Sequence, residues 1–343
     1  MTAVSMKKLT DFGTKVLVAK GLPRREAKYI AQMAVTTEAM GITTHGLRAL
    51  QYAVSVVPDP VMPDLTPDIV KQTSAMILVD AHMGLSQPAV RLALKAAARK
   101  ARKNGIAMAA IRNGRWIGAL APYVYNLARE GLMVQAWAQS SQCKDCAPVG
   151  GIDGRFSTNP MAIAFPTHAD PVFADMSTAS VSMGQFSTMA KKGERAADKI
   201  FLDPQGHPTD DPRVFKQGGT VLFTGGAYYG HKGYALSLWC EALTVMAGGP
   251  ANHPDLEQRQ GLNFLVIDPS VFGDMAPYRK EMDRFTRHVR SSRLRPGHHA
   301  IRLPGERALA ALLEADEKGV PLSPETLVKL NELAQAAGLK PLT

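Results

Sequence analysis

Residues 150–166 read GGIDGRFSTNPMAIAFP. Two glycines, then Gly154-Arg155, then Ser157-Thr158-Asn159-Pro160 lead straight into the apolar run Met161–Phe165, which is predicted to be a strand. Glycine lets a ligand approach the backbone, and hydroxyls with an amide at a strand entrance offer donors to a phosphate or a carboxamide. A tight turn would carry the same residues. The stretch is not a GxGxxG fingerprint, and none occurs elsewhere in the chain, so a Rossmann dinucleotide site is not available.

Working outward, the middle of the chain is strand-rich. A helix from Pro88 to about Asn104, with proline in its first turn and Gly105 as its stop, feeds a strand at Ile106–Ile111. A helix at Pro122–Glu130 and a strand at Met133–Ala138 follow. Towards the N-terminus, a helix beginning at Arg24 ends near Gly41 and delivers the polar turn Thr43-Thr44-His45-Gly46. Towards the C-terminus, residues 191–219 are polar and punctuated and read as a long surface loop. An apolar helix runs from Gly233 to about Ala247. Two further helices open at Leu303-Pro304-Gly305-Glu306 and at Ser323-Pro324, the last stopping at Gly338. The class is α/β.

At 343 residues the chain reaches the size where one hydrophobic core stops growing, so two connected lobes are expected. The formal charge of +10 suits nucleic acid, an acidic membrane face or an enzyme with anionic ligands. The basic runs Lys95–Lys103 and Arg287–Arg295 are not interleaved with aromatics, which argues for solvated faces and against a nucleic-acid partner. Apolar windows fall short of the roughly 20 residues of a membrane span. The opening MTAVSMKKLTDF has no apolar signal core, so no membrane partner and a cytoplasmic address are expected. Of three cysteines, Cys143 and Cys146 form a CxxC without a second pair, so loop cysteines and no metal are expected. Gly225–Lys232 (GGAYYGHK) lacks the Ser or Thr of a P-loop, and HExxH and GxSxG are absent, which removes the best support for a hydrolase.

Three more polar clusters stand in apolar or glycine-rich surroundings. In the first, His45 with Gly46 behind it and Arg48 three residues on could protonate a carbonyl oxygen while the guanidinium forks a carboxylate; a structural histidine is the other reading. In the second, Asp175-Met176-Ser177-Thr178 places a carboxylate after a strand, suited to ribose hydroxyls or to a helix N-cap. In the third, Gly230-His231-Lys232-Gly233 sets a lysine at a helix N-terminus, where the macrodipole disfavours a cation unless an anion joins it.

In this order GITTHGLRAL at Gly41, GLSQPAV at Gly84, the 150–166 block, DMSTAS at Asp175, PTDDP at Pro208, GHKGYALSL at Gly230 and LPGER at Leu303 resemble the malate/L-lactate dehydrogenase family. That family also holds sulfolactate, ureidoglycolate and diketogulonate oxidoreductases and piperideine-2-carboxylate reductases. The resemblance implies a non-Rossmann, sulfolactate dehydrogenase-like fold with mixed-sheet lobes. A cofactor lobe (126–279) would be inserted in a substrate and dimerisation lobe (1–125 plus 280–343). It implies NADH or NADPH along Ser140, Thr158, Asn159, Asp175, Met176, Ser177, His231, Lys232, Gly233, Pro304, Gly305 and Glu306. It also implies a small anionic substrate, and self-association as a homodimer or dimer of dimers. His45 would then give or take a proton and Arg48 would hold the carboxylate of an α-keto acid being reduced to the 2-hydroxy acid, or of the reverse reaction.

The chain departs from the family pattern in three places, the mildest being Glu38-Ala39-Met40-Gly41 for the usual Asp-x-x-Gly before the histidine. Asn113–Gly118 carries Trp116 where family members have an acid–base histidine, which makes His45 the main acid and Trp116 an aromatic wall of the pocket, with a second guanidinium at Arg115. Gln185 stands where keto-acid reducers carry lysine and imine reducers aspartate. An imine reductase forming a cyclic or N-alkyl amino acid is therefore the alternative activity. A scaffold that binds cofactor without turnover is the third.

Overall fold

The computed structural model of the chain describes residues 2–57 and 66–342. β1 (Thr2–Val4) precedes three helices, α1 (Met6–Ala19), α2 (Arg24–Ala39) and α3 (Leu47–Val56). Ser5 caps α1 by accepting the Lys8 N–H at 3.2 Å. Leu9, Val16 and Leu17 of α1 recur at helical spacing and bury against Ala27, Ile30 and Ala34 of α2.

β2 (Asp68–Gln72), β3 (Met76–Asp80), α4 (Ser86–Asn104), β4 (Ile106–Gly114), α5 (Ala121–Arg129), β5 (Met133–Ser140), β6 (Met161–Phe165) and β7 (Val172–Met176) build the centre. Then come α6 (Met183–Lys192), the short strands β8 (Phe201–Leu202), β9 (Pro208–Thr209) and β10 (Thr220–Val221), α7 (Gly226–Tyr229) and α8 (His231–Met246). β11 (Gln260–Ile267), α9 (Met275–Arg290), α10 (Glu306–Lys318), β12 (Val320–Leu322) and α11 (Pro324–Ala336) complete the chain.

The main sheet has the order β2-β3-β4-β11-β5-β6-β7. Only β3 and β4 are parallel, joined across α4, and every other pair is antiparallel. A doubly wound fold needs parallel strands around a switch point, so this sheet is not one. β11 arrives from late in the chain and sits between β4 and β5, so the sheet crosses position 125 in sequence. Leu262, Phe264 and Val266 of β11 pack with Val90 and Ala93 of α4 and Val124 of α5 in the largest core.

Three features differ from the sequence reading. Residues 191–219 are not one long loop, because β8, β9 and β10 form a small sheet and Phe186, Phe201, Val214, Val221 and Phe223 close a separate core under it. The strands are two residues long, too short to show a period. Helix α8 starts two residues earlier than expected and is largely inverted: it buries Gly233, Ser237, Cys240, Glu241, Leu243 and Thr244 while Leu236, Leu238, Trp239, Val245 and Met246 are exposed. Helices α1 and α9 and the central strand β11 had no counterpart in the sequence reading.

Candidate active site

Helix α2 ends at Ala39, and the turn that follows is welded to it by Glu38. The Glu38 carboxylate accepts the Leu47 N–H, the first of α3, at 2.9 Å. A Cβ on Gly46 would lie 2.2 Å from Glu38 Oε2 and 2.8 Å from its Cα, so only glycine can cross there. His45 is thereby fixed at the turn, with Thr44 Oγ1 hydrogen-bonded to its Nδ1 at 2.8 Å. That bond occupies Nδ1 and leaves Nε2 for a ligand. Burial, and secondly the nearby charge of Arg48, lower the His45 pKa below its usual value, so the ring is neutral at pH 7.

Arg48, Gln51, Tyr52 and Ser55 lie on one face of α3, at positions i, i+3, i+4 and i+7, and line a cleft of about 720 Å³ with His45. Arg48 has no hydrogen-bond or ion-pair partner among the described residues. β4 ends at Asn113-Gly114, where Asn113 takes a left-handed φ of 56° and donates to the buried Asp80 carboxylate at 3.1 Å. Gly114 passes so close to Ser86 that a Cβ would sit 2.2 Å from its hydroxyl. This bend turns Trp116 into the cleft, 5.5 Å from the His45 ring and edge-on to Tyr52 at 5.5 Å. Arg115 does not join it as a spare cation: it donates to the Met83 and Gln258 carbonyls and pairs with Glu257 at 2.7 Å. A side pocket of about 260 Å³ lies between Tyr52, Trp116 and Arg259.

Further lining residues come from the middle of the chain. Ser140, at the end of β5, accepts from Gln260 Nε2 at 2.8 Å, and the other end of that amide accepts the Ile117 N–H. Thr158 lines the cleft, and its carbonyl accepts both the Ser177 and Thr178 hydroxyls at 3.0 Å. Asn159 does not line the cleft: fully buried, its amide donates to Glu241 and Ser237, both at 2.9 Å. From α6 come Met183, Gly184, Ser187 and Lys191, and from α11 Lys329. Gln185, also on α6, is exposed and does not line the cleft.

Cys143 and Asp145 also line the cleft. The three thiols are free, and burial raises the pKa of Cys143 to about 12 and pushes that of Cys146 well above the usual thiol value. Among the described residues no cluster of three His, Cys, Asp or Glu side chains is placed to hold a metal, and no helix is long and apolar enough to cross a membrane.

The Asp175 group forms a shelf beside the cleft. Asp175 Oδ2 accepts the Leu120 and Ala121 N–H groups at 2.7 and 2.8 Å, and burial, partly offset by those bonds, lifts its pKa to about 6. Met176 is exposed. Gly233 packs on the same segment, where a Cβ would lie 2.5 Å from the Thr178 carbonyl. His231 and Lys232 are exposed outside the cleft, and the Lys232 ammonium lies 5.4 Å from the Tyr229 ring centre. Gly305 rests on Phe173 of β7, two residues from Asp175 and on the same strand face. Pro304 and Glu306 border a second cleft of about 330 Å³ with Val172, Arg287 and Arg290. The two clefts thus lie towards opposite ends of β7, whose five residues span roughly 17 Å. The donors and cations here suit an extended anionic ligand with two ends. Tyr52 could have been found from its i, i+4 relation to Arg48. Asp145, Ser187, Lys191 and Lys329 carried no comparable signal.

A family model described as malate/L-lactate dehydrogenase matches residues 4–331. The chain is 28% identical over 344 residues to a malate dehydrogenase of Pyrococcus abyssi, covering 97% of this chain and 94% of that one. It is 31% identical over 327 residues to a delta(1)-pyrroline-2-carboxylate/delta(1)-piperideine-2-carboxylate reductase of Pseudomonas putida, covering 91% of each. Among solved structures, malate dehydrogenase from Pyrococcus horikoshii OT3 has a TM-score of 0.89 at 27% identity, covering 99% of this chain and 97% of that one. Sulfolactate dehydrogenase from Methanocaldococcus jannaschii has a TM-score of 0.86 at 26% identity, covering 99% and 98%. The expected sulfolactate dehydrogenase-like fold is the fold observed.

Proposed function

The chain belongs to the malate/L-lactate dehydrogenase family, an oxidoreductase family, and from that premise we propose that it interconverts a small 2-oxo or 2-imino acid with its reduced form in the 720 Å³ cleft. The observation that carries the reading is the convergence of His45, Arg48 and Trp116 on that cleft, which Ser140 and Thr158 also line. NADH or NADPH, when bound, supplies the hydride. Ser140 and Thr158 in the cleft, the Asp175–Ser177 shelf and the Pro304–Glu306 turn would hold it, with His231 beside them and Lys232 adding positive charge. Arg48 forks the substrate carboxylate, which fixes the orientation of the reacting carbon. His45 gives a proton from Nε2 to the substrate oxygen or nitrogen, and takes one back in the reverse direction. Trp116 offers no proton and walls the reacting centre from water. A second copy of the chain is the partner this reading implies, docked on the exposed apolar face of α8.

The test is loss of reduced-nicotinamide absorbance with each cofactor against a panel of 2-oxo acids, with and without methylamine. His45→Ala should lower kcat by about 10²–10⁴. Because the His45 pKa is lowered, the protonated ring needed for reduction becomes scarcer as pH rises, so reductive kcat/KM should climb as pH falls below about 6.5. Oxidation should already be on its plateau at pH 7. A His45→Ala enzyme with wild-type turnover would end the assignment.

A further inference from the structure

Asp145 is the one carboxyl among the residues lining the main cleft, which otherwise presents Arg48, Lys191 and Lys329. Its backbone is pinned from both sides: its N–H donates to the Phe156 carbonyl at 3.0 Å and its own carbonyl accepts the Val221 N–H at 2.8 Å. The next residue, Cys146, bridges to Phe156 and to Val221, which ties the loop to the small sheet. The position is therefore rigid, and the carboxyl is the only part of the residue with hydrogen-bonding capacity left. No hydrogen bond or ion pair reaches that carboxyl among the described residues. Partial burial lifts its pKa to about 6, and the half-buried carboxyl stands at the cleft wall without a partner of its own.

We propose that Asp145 is a specificity-determining residue that receives a positively charged N–H group of the substrate. The preferred substrate is then an acid carrying both a carboxylate, for Arg48, and a cationic nitrogen, for Asp145. This deepens the proposed function and rests on it. A plain 2-oxo dicarboxylate brings only negative charge, and a rigid unpaired carboxylate repels it. A cationic nitrogen removes the cost of the buried charge and makes a charge-assisted hydrogen bond. The Tyr52–Trp116 corner suits the same group, because aromatic faces attract cations. Two sources share this chemistry: an iminium, whose nitrogen is at the reacting carbon, and an amine further along a 2-oxo acid side chain.

Binding, followed by calorimetry on the full chain with saturating oxidised cofactor, tests the idea without relying on turnover. The probes are L-pipecolate, with the cationic nitrogen on the reacting carbon, 6-amino-2-hydroxyhexanoate, with it further along the side chain, and L-malate, which carries none. Wild type should bind one of the first two at least ~10-fold more tightly than L-malate. Asp145→Asn should weaken that binding about 10- to 100-fold and leave L-malate unchanged or tighter. A preference for L-pipecolate identifies the iminium source, and one for 6-amino-2-hydroxyhexanoate the remote amine. Equal losses for all three probes, no loss, or weaker NADH and NADPH binding with unchanged discrimination would overturn the proposal. Failure of the proposed function would look different: no cofactor oxidation with any acid while the charge discrimination persists.

Discussion

Glu38 shows how much one residue under the site has to carry. It is 6% exposed, accepts the first N–H of α3, and touches the path of Gly46. Burial raises its pKa from 4.5 to about 7 against the opposing pull of the Leu47 N–H and Arg48. A carboxyl whose folded pKa stands above its unfolded value binds protons more readily when folded, so stability drains away as pH rises from about 4.5 through about 7. The full effect is roughly 3 kcal/mol. Glu38→Gln keeps an acceptor for Leu47 and removes the ionisation. Its melting temperature relative to wild type should therefore rise between pH 5 and pH 8. Asp145 and Asp175, also shifted upward, are present in both proteins and cancel in the difference. A difference that stays flat across that range would show that Glu38 does not ionise within it.

Between elements, Asp175 joins strand to helix. Its carboxylate takes the Leu120 and Ala121 N–H groups, two of the donors that the start of α5 leaves without intrahelical partners. Asp175→Ala should strand both and cost roughly 2–4 kcal/mol in urea unfolding without cofactor, whereas Asp175→Asn, which keeps an oxygen acceptor, should cost about 1. Equal stability of the alanine variant and wild type would remove the cap from the account. The sequence could offer this residue only as a ribose ligand or a cap, because both need a carboxylate after a strand. Elements with a period and a stop were legible: α4 ends at Gly105, in the left-handed region, and α11 begins at Ser323, whose hydroxyl accepts the Thr326 N–H. Strand β11 was not, since its place between β4 and β5 is set by partners more than a hundred residues away in sequence. The site divides the same way. His45 and Arg48 sit in a short motif that a sequence displays. Asp145 matters through what surrounds it in space, and a lone carboxylate in a polar loop announces nothing.

At the scale of the whole molecule, the charge of +10 fits a cleft built for anions, with Arg48, Lys191 and Lys329 around it. Helix α8 poses a different problem. It turns its small and polar residues inward with Leu243, Glu241 accepting there from Gln139 Nε2 and Asn159 Nδ2, and presents most of its large apolar ones outward. Trp239 is 55% exposed and Met246 54%. The buried network fixes this orientation, because rotating the helix would carry Glu241 away from the buried Gln139 and Asn159 amides and leave those donors unpaired. An apolar face held outward by internal polar bonds is satisfied when a second copy covers it, and a two-fold axis lets the same face serve both chains. Light scattering at micromolar concentration should then give at least twice the chain mass for wild type, and Trp239→Glu should move it towards a single chain. Phe272→Glu, a control at an equally apolar position that is 88% exposed elsewhere, should leave the assembly intact. A single chain mass for wild type would show that α8 faces water, and equal dissociation by both variants would deny it any particular role.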